Sequence, residues 1–434
     1  MRRHLTYGLG IVAVGLLSAG FAIVFRGSLS ALNQAVFGAH DVVHAVSTLT
    51  WWQRAIFPAV GAFLGGLVSR FLGKSGGGVG DVMEAIVLGR VNLSMRSTVL
   101  KSFASWLAIA TGGSLGREGP LIQFGGAAGK SVGQAFKLTS DQTRILIAAG
   151  TAAGFAAAYN TPFAAILFVL EVVIGVVVIE ALWPLMIATV LATGVTRFAI
   201  GPGPLYGVHT FEMKSSWELL AYAGLGIVVA IGAQGFMRTL SFGERIFKHP
   251  KLPLPWRPAL GGLLAGCVIA FMPQIAGNGY EPLQDLIAGH YTWAMVLFLL
   301  AGKVFATTAS VSSGSPGGVF TPTLLVGGTL GFLFATAVNL VVGGALDVGG
   351  YVLVGMAAAT AATTHAPVLA AVMVFELTGD YAIVLPLLLA TAIATLISRQ
   401  MREDSIYMAE LKEKGLDWEL TFDGRVHDDD SQEK

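Results

Sequence analysis

Apolar residues run along this chain in long blocks, and polar positions gather in short Gly- and Pro-rich punctuation between them. YGLGIVAVGLLSAGFAIVF (7–25) and LLAYAGLGIVVAIGAQGF (219–236) are two such blocks. Each has the length of a helix that crosses a bilayer, about 20 residues. The punctuation concentrates in GKSGGGVGD (73–81), GGSLGREGP (112–120) and SSGSPGGVFTP (312–322), each followed by an apolar segment. Clustered Gly and Pro break helices. Broken backbone survives at membrane depth only where protein buries it or where it lines a watery cavity. Each cluster is therefore expected to be a loop feeding a helix N-terminus inside the membrane. Pro120 and Pro322 suit the first turn of those helices.

The pattern repeats. KSFASWLAIATGGSLGREGPLIQFGGAAG (101–129) recurs as KVFATTASVSSGSPGGVFTPTLLVGGTLG (303–331), an offset of 202 from Lys101 to Lys303. Gly112/Gly314, Gly116/Gly318, Pro120/Pro322 and Gly129/Gly331 coincide. GTAAGFAAAYNTPFAAILFVLE (150–171) then meets GMAAATAATTHAPVLAAVMVFE (355–376) at an offset of 205, aligning Pro162 with Pro367 and Glu171 with Glu376. A duplicated hydrophobic chain with Gly- and Pro-broken helices points to a transporter or channel with its site between the halves.

Composition fixes the environment. The 434 residues are 54% hydrophobic and 12% charged, with a mean hydropathy of +0.70. A soluble domain carries about 25% charge. The chain reads as an all-α, multi-pass integral membrane protein. Its first apolar run lacks a clear small-residue cleavage site, so it reads as a retained helix rather than a signal peptide. The single Cys267 excludes an internal disulfide framework and any cysteine metal cluster. The eight histidines form no HxxxH or HExxH pattern and no GxxxxGK[ST] loop is present, so no metal, cofactor or ATP-driven step is expected. A net charge of +1 gives no reason to expect nucleic acid. No Ser/Lys, paired Asp or His-metal constellation supports an intramembrane enzyme. A cation-coupled secondary transporter would need several intramembrane carboxylates converging on a cation, and Glu118 alone serves poorly.

Candidate chemistry centres on Glu118, in GREGP (116–120). Helix N-termini carry unpaired N–H groups and partial positive charge, so several aimed at one point make an anion site without a full cation. Conduction needs such binding to be favourable yet weak. A carboxylate at that place can occupy the anion site itself, and its protonation would release it. The repeat position is Phe320, so the duplication keeps the backbone and changes the chemistry. Arg117 reads as structural or as shaping the local potential. Lys101 and Lys303 either raise the potential for anions or snorkel to an interface. His365 reads as a capping group.

These motifs resemble the CLC family of chloride channels and proton-coupled chloride exchangers. GREGP (116–120) and GVFTP (318–322) are similar to the family's second and third anion-binding motifs, and GGGVG (76–80) stands where the first is usually GSGIP. SIYMAEL (405–411) is similar to the family's tail tyrosine segment, and PFAAILFVLEV (162–172) to the helix carrying its intracellular glutamates. The resemblance spans about residues 5–415. It implies two inverted-topology repeats of broken, tilted helices, a homodimer with one pathway per protomer, and Glu118 as the external gate. It further implies an anion site formed by Gly77, Gly78, Arg117, Gly119, the amides around Val319 and Phe320, and the Tyr407 hydroxyl.

Two departures bear on function. Gly77 replaces a serine whose hydroxyl contacts the central anion in the family, so discrimination of chloride from nitrate is expected to weaken. Val172 replaces the internal proton-transfer glutamate of typical exchangers, leaving Glu171 and Glu180 as the carboxylates nearest a proton path. Glu171, with its repeat mate Glu376, reads as partly structural, and Glu180 as a solvated loop end. A pathway without a relay at Val172 favours a passive, Glu118-gated chloride channel. Proton-coupled exchange is the alternative. The expected organisation is an entry helix (1–30), a first repeat (31–210), a second repeat (211–400), a pore-returning helix (401–418) and an acidic tail (419–434). Arg2, Arg3, Lys412 and Lys414 favour both termini in the cytoplasm, and the resemblance to bacterial-type members implies a bacterial inner membrane. A cytoplasmic regulatory domain after residue 418 is not expected.

Overall fold

The structure, a computed structural model, describes residues 2–72, 78–87, 93–201, 203, 205–207, 210–213, 215–248, 252–343, 346–413, 418–421 and 424–427. Gly77 and most of its glycine loop lie outside these residues. The first half contains α1 (Arg2–Phe37), α2 (Val42–Ser47), α3 (Trp51–Leu72), α4 (Val79–Val87), α5 (Met95–Ala110), α6 (Glu118–Ala135), α7 (Ser140–Tyr159), α8 (Pro162–Leu167) and α9 (Ile179–Ile200). A π turn (Phe168–Ile174) continues α8. The second half contains α10 (Glu218–Lys248), α11 (Trp256–Phe271), α12 (Tyr280–Ile287), α13 (Trp293–Ser312), α14 (Phe320–Val342), α15 (Val348–Thr364), α16 (Pro367–Thr378) and α17 (Val384–Met401), followed by α18 (Ile406–Glu413). Seven helical stretches among the described residues are long and apolar enough to cross a membrane. α1 is one of them, and its Ile11, Val14, Ala19 and Ala22 are buried, so it is part of the core.

Sequence decides which helices sit inside. A helix apolar on all sides has no face for water and goes to the middle. α7 from Leu146 to Tyr159 and α15 from Gly349 to Thr364 are buried throughout, and both are built mainly of Ala, Gly and Thr. Small residues let their neighbours approach closely, as in membrane helix packing generally. A Cβ on Gly125 of α6 would collide with the Gly150 carbonyl of α7, and one on Gly327 of α14 with the Gly355 carbonyl of α15. The outer helices α9, α10 and α17 expose large apolar side chains such as Phe198, Leu220, Leu385 and Leu396. Such a belt suits lipid and not water.

The two halves meet about a pseudo-two-fold. The Gly116 and Gly318 N–H groups donate to each other's carbonyls, at 2.7 and 2.8 Å, in an antiparallel bridge. A second reciprocal pair uses carboxylates. Glu171 accepts from the backbone N–H groups of Val368 and Leu369 at the head of α16, at 3.3 and 2.7 Å. Glu376 accepts from Phe163 and Ala164 at the head of α8, at 3.0 and 2.8 Å. Each carboxylate thus caps the helix N-terminus of the other repeat, where Pro at the first position leaves the following amides unpaired. Asn160 and His365, also repeat mates, end α7 and α15 in the left-handed conformation.

The C-terminal region departs from expectation. Of the stretch 401–418 expected to return to the pore, Ile406–Glu413 is described as a helix, and the stretch from 419 that reads as an acidic tail contains an antiparallel pair, β1 (Trp418–Thr421) and β2 (Gly424–His427).

Candidate functional site

Three helices begin around one cavity of about 670 Å³: α4, α6 and α14. Gly78, Glu118, Gly119, Val319, Phe320 and Tyr407 all line it. α6 and α14 start alike. Arg117 (φ −93°, ψ −1°) and Val319 (φ −105°, ψ −7°) precede them, and neither caps its helix with its side chain. Pro120 and Pro322 fall in the first turns, as the sequence predicts. The first amides of both helices therefore keep no partner from within the helix.

Glu118 takes up part of that capacity. Its carboxylate is 2% exposed, and Oε1 accepts from the Thr321 backbone N–H at 3.2 Å and from the Tyr159 hydroxyl at 2.7 Å. The Tyr159 and Thr321 hydroxyls are 3.0 Å apart. A negative group thus sits at the head of α14. The bridging glycines make room for it, since a Cβ on Gly116 or on Gly318 would collide with Glu118 Oε2. Phe155, Tyr159, Phe168, Tyr280, Phe320 and Tyr407 form an aromatic wall around this point, with Phe155 edge-on to Phe320 at 5.6 Å and Phe168 edge-on to Tyr407 at 6.2 Å.

Arg117 faces the other way. Its guanidinium lies 4.8 Å from the Tyr280 ring centre, a cation–π arrangement. It lines a separate cavity of about 350 Å³ with Arg26, Asn33, Asp41, Asn278 and Glu281. Consecutive residues therefore reach two cavities, and Glu118 does not spend its hydrogen bonds on Arg117.

The remaining candidates separate. The Gly78 amide, offered to an anion on sequence grounds, donates instead to Gln123 Oε1 at 3.2 Å; Gln123 Nε2 donates to Asp81 at 3.2 Å. Lys101 pairs with Asp81 at 3.4 Å and lines the larger cavity, so it does not snorkel. Lys303 is fully buried and donates to the Ile275 and Gly277 carbonyls at 3.0 and 2.8 Å. Replacing it by Met leaves two carbonyls without a donor, each costing about 1–3 kcal/mol. Lys303→Met is expected to lower the thermal midpoint in detergent by several degrees; an unchanged midpoint would show that water takes over both bonds. Val172 is buried in the π turn, 1% exposed, Glu171 caps α16, and Glu180 is exposed in the first turn of α9. None of these three lines the larger cavity.

Tyr159, Thr321 and Gln123 escape the sequence reading. Tyr159 closes the apolar run GFAAAY and passes as a core aromatic. Thr321 is overshadowed by its neighbour Phe320. The one signal is that both are polar positions inside the repeated blocks.

A family model described as voltage-gated chloride channel matches residues 60–399. A ClcB-like protein of Ralstonia nicotianae is 36% identical over 406 residues, 92% of this chain and 95% of that protein. A protein of Salmonella dublin named voltage-gated ClC-type chloride channel ClcB is 32% identical over 403 residues, 91% of this chain and 96% of its own. Among solved structures, a slow cyanobacterial Cl−/H+ antiporter superposes with a TM-score of 0.85 at 23% identity, covering 94% of this chain and 98% of that one. The match over most of the chain, the two broken-helix repeats and the helix N-termini around Glu118 agree: this multi-pass membrane protein belongs to the CLC family of chloride-transport proteins.

Proposed function

We propose that the chain exchanges chloride for protons along a pathway gated by Glu118. One observation carries the reading. The Glu118 carboxylate holds the helix-end amide that an anion would use, and it also lines a cavity large enough for water. An anion can bind there only when the carboxylate leaves. Protonation removes the charge that holds it, because a neutral group gains less from an N–H donor and a helix N-terminus. Each passage of chloride is then tied to the protonation state of one side chain.

The reading favoured by Val172 alone is passive conduction, and the relatives named as channels agree with it. What tips the balance is access. Asp404, Glu410, Glu244 and Tyr407 line the same cavity as Glu118, so water there offers protons a route that does not cross Val172. The cyanobacterial protein of the same fold is a Cl−/H+ antiporter, which supports this choice. We place this cavity on the cytoplasmic side, since the C-terminal helix that lines it carries Lys412 in its last turn and positive charge favours that side. The exposed apolar faces of α9 and α17 support a homodimer with one pathway per chain.

The test is the zero-current voltage of reconstituted protein with equal chloride on both sides and a pH gradient. Exchange is expected to give a clear shift with the pH gradient, and uphill proton movement when a chloride gradient is imposed. A voltage that ignores the pH gradient would return the function to passive conduction.

A further inference from the structure

We propose that Tyr159 is the latch of the Glu118 gate: its hydroxyl holds the carboxylate in the closed position and thereby sets the pH at which the pathway opens. The proposal rests on Glu118 acting as the gate. It assigns a positioning role to a residue of a different helix, 41 positions further along the chain.

The geometry is specific. The Tyr159 hydroxyl is 2.7 Å from Glu118 Oε1 and 3.0 Å from Thr321 Oγ1, and the Thr321 N–H is 3.2 Å from the same Oε1. Donors and acceptors close a ring if the Thr321 hydroxyl donates to the Tyr159 oxygen and the Tyr159 O–H donates to Glu118. All three side chains are buried, with Tyr159 1% exposed and Thr321 not exposed at all. The ring joins both repeats, α7 from the first and α14 from the second. Among the described residues, Glu118 Oε2 has no hydrogen-bond partner, and the bonds from Tyr159 and Thr321 both fall on Oε1.

Other charged and titratable groups act on Glu118 from the elements around it. They are Arg117 beside it, Tyr280 of α12, Lys303 of α13 and Tyr407 of α18. Among the described residues, Tyr159 is the one side chain that hydrogen-bonds the carboxylate. The others act over a distance, and Arg117 is turned toward the Tyr280 ring.

The sign follows from the donors. A hydrogen bond donated to a carboxylate favours its charged form. Removing the Tyr159 donor makes Glu118 take its proton more readily, so the open form persists to higher pH. Tyr159→Phe deletes the hydroxyl and keeps the ring that packs on Phe155 and Phe320. Its pH–flux profile in liposomes is expected to move up by roughly one pH unit, about 1.4 kcal/mol. The same change made in a Glu118→Gln background is expected to produce no pH shift, because the partner no longer titrates.

Chloride flux against pH in the wild type, Tyr159→Phe, Glu118→Gln and the double variant decides it. An upward shift that vanishes in the double variant supports the latch. A Tyr159→Phe profile that overlays the wild type, while Glu118→Gln flattens it, reduces Tyr159 to packing and overturns the proposal with the gate intact. A pH profile that survives in Glu118→Gln removes the gate reading, and the latch with it. If Tyr159→Phe does not fold, Thr321→Val carries the test. It removes the hydroxyl that orients the phenol and keeps the backbone N–H, so a smaller shift in the same direction is expected and no shift refutes the latch.

Discussion

Glu118→Gln is expected to leave chloride flux intact, flatten its pH dependence and abolish any response of the zero-current voltage to a pH gradient. Gln has the size of Glu and its carbonyl still accepts from the Thr321 N–H and the Tyr159 hydroxyl, so the site should assemble. What it loses is charge. Hydrogen bonds to an ionised acceptor contribute about 1.5–3 kcal/mol, against about 0.5–1.5 for neutral pairs. A difference near 1.4 kcal/mol is tenfold in how often the side chain holds its seat. Chloride then competes with a weakly held amide at every pH, instead of waiting for a carboxylate to be protonated. Wild-type flux should rise as pH falls, since acid neutralises the occupant, while the variant should run at its open rate throughout. Concentrative uptake of chloride into liposomes at two pH values, with proton movement recorded in parallel, measures both effects. A folded variant that carries no chloride would mean that Glu118 helps to bind the anion rather than exclude it.

The backbone of this site was legible in the sequence because its geometry imposes a composition. Gly116 and Gly318 bridge one another and admit the Glu118 carboxylate between them, so a side chain at either position would push the carboxylate from its seat. The prolines in the first turns follow from the same helix starts. A pattern that must appear twice, once in each repeat, is easy to see without any structure. Contacts made by one copy only were not legible. Tyr159 has Thr364 as its repeat mate, and nothing in an alanine-rich run says which neighbour a terminal tyrosine meets. That depends on how α6 packs on α7. Lys303 read equally well as a snorkelling residue, and only its position behind the Ile275 and Gly277 carbonyls shows it to be buried. The Gly78 amide reads as an anion donor because Gln123, 45 residues away, gives no local sign that it will claim it. The choice between conduction and exchange was least legible. Val172 argues from one position, whereas proton access depends on the shape of a cavity built from residues spread between Ser69 and Lys412.

Glu171 provides the sharpest separation between a transport role and a structural one. A proton relay needs a carboxylate free to bind and release a proton. Both Glu171 oxygens are instead engaged by the first amides of α16, and Glu376 repeats the arrangement at α8. A carboxylate suits that place because the helix end offers adjacent N–H donors and partial positive charge. Gln keeps one acceptor oxygen and turns an NH2 group toward the second amide, leaving a donor facing a donor. The unsatisfied amide costs about 1–3 kcal/mol, to which the lost charge–dipole attraction adds about 0.3–1 kcal/mol. Glu171→Gln is therefore expected to lower the thermal midpoint clearly, and Glu376→Gln to lower it by a similar amount, because the two caps are related by the pseudo-two-fold. Neither should change the ratio of protons to chloride moved. The pH-gradient voltage of the surviving protein is the decisive reading. If Glu171→Gln abolishes the voltage shift while its midpoint stays at the wild-type value, Glu171 carries protons and the route through the larger cavity is wrong. If the midpoint falls and the shift persists, the carboxylate in the family's glutamate helix holds the repeats together and the proton reaches Glu118 from the water beside Tyr407.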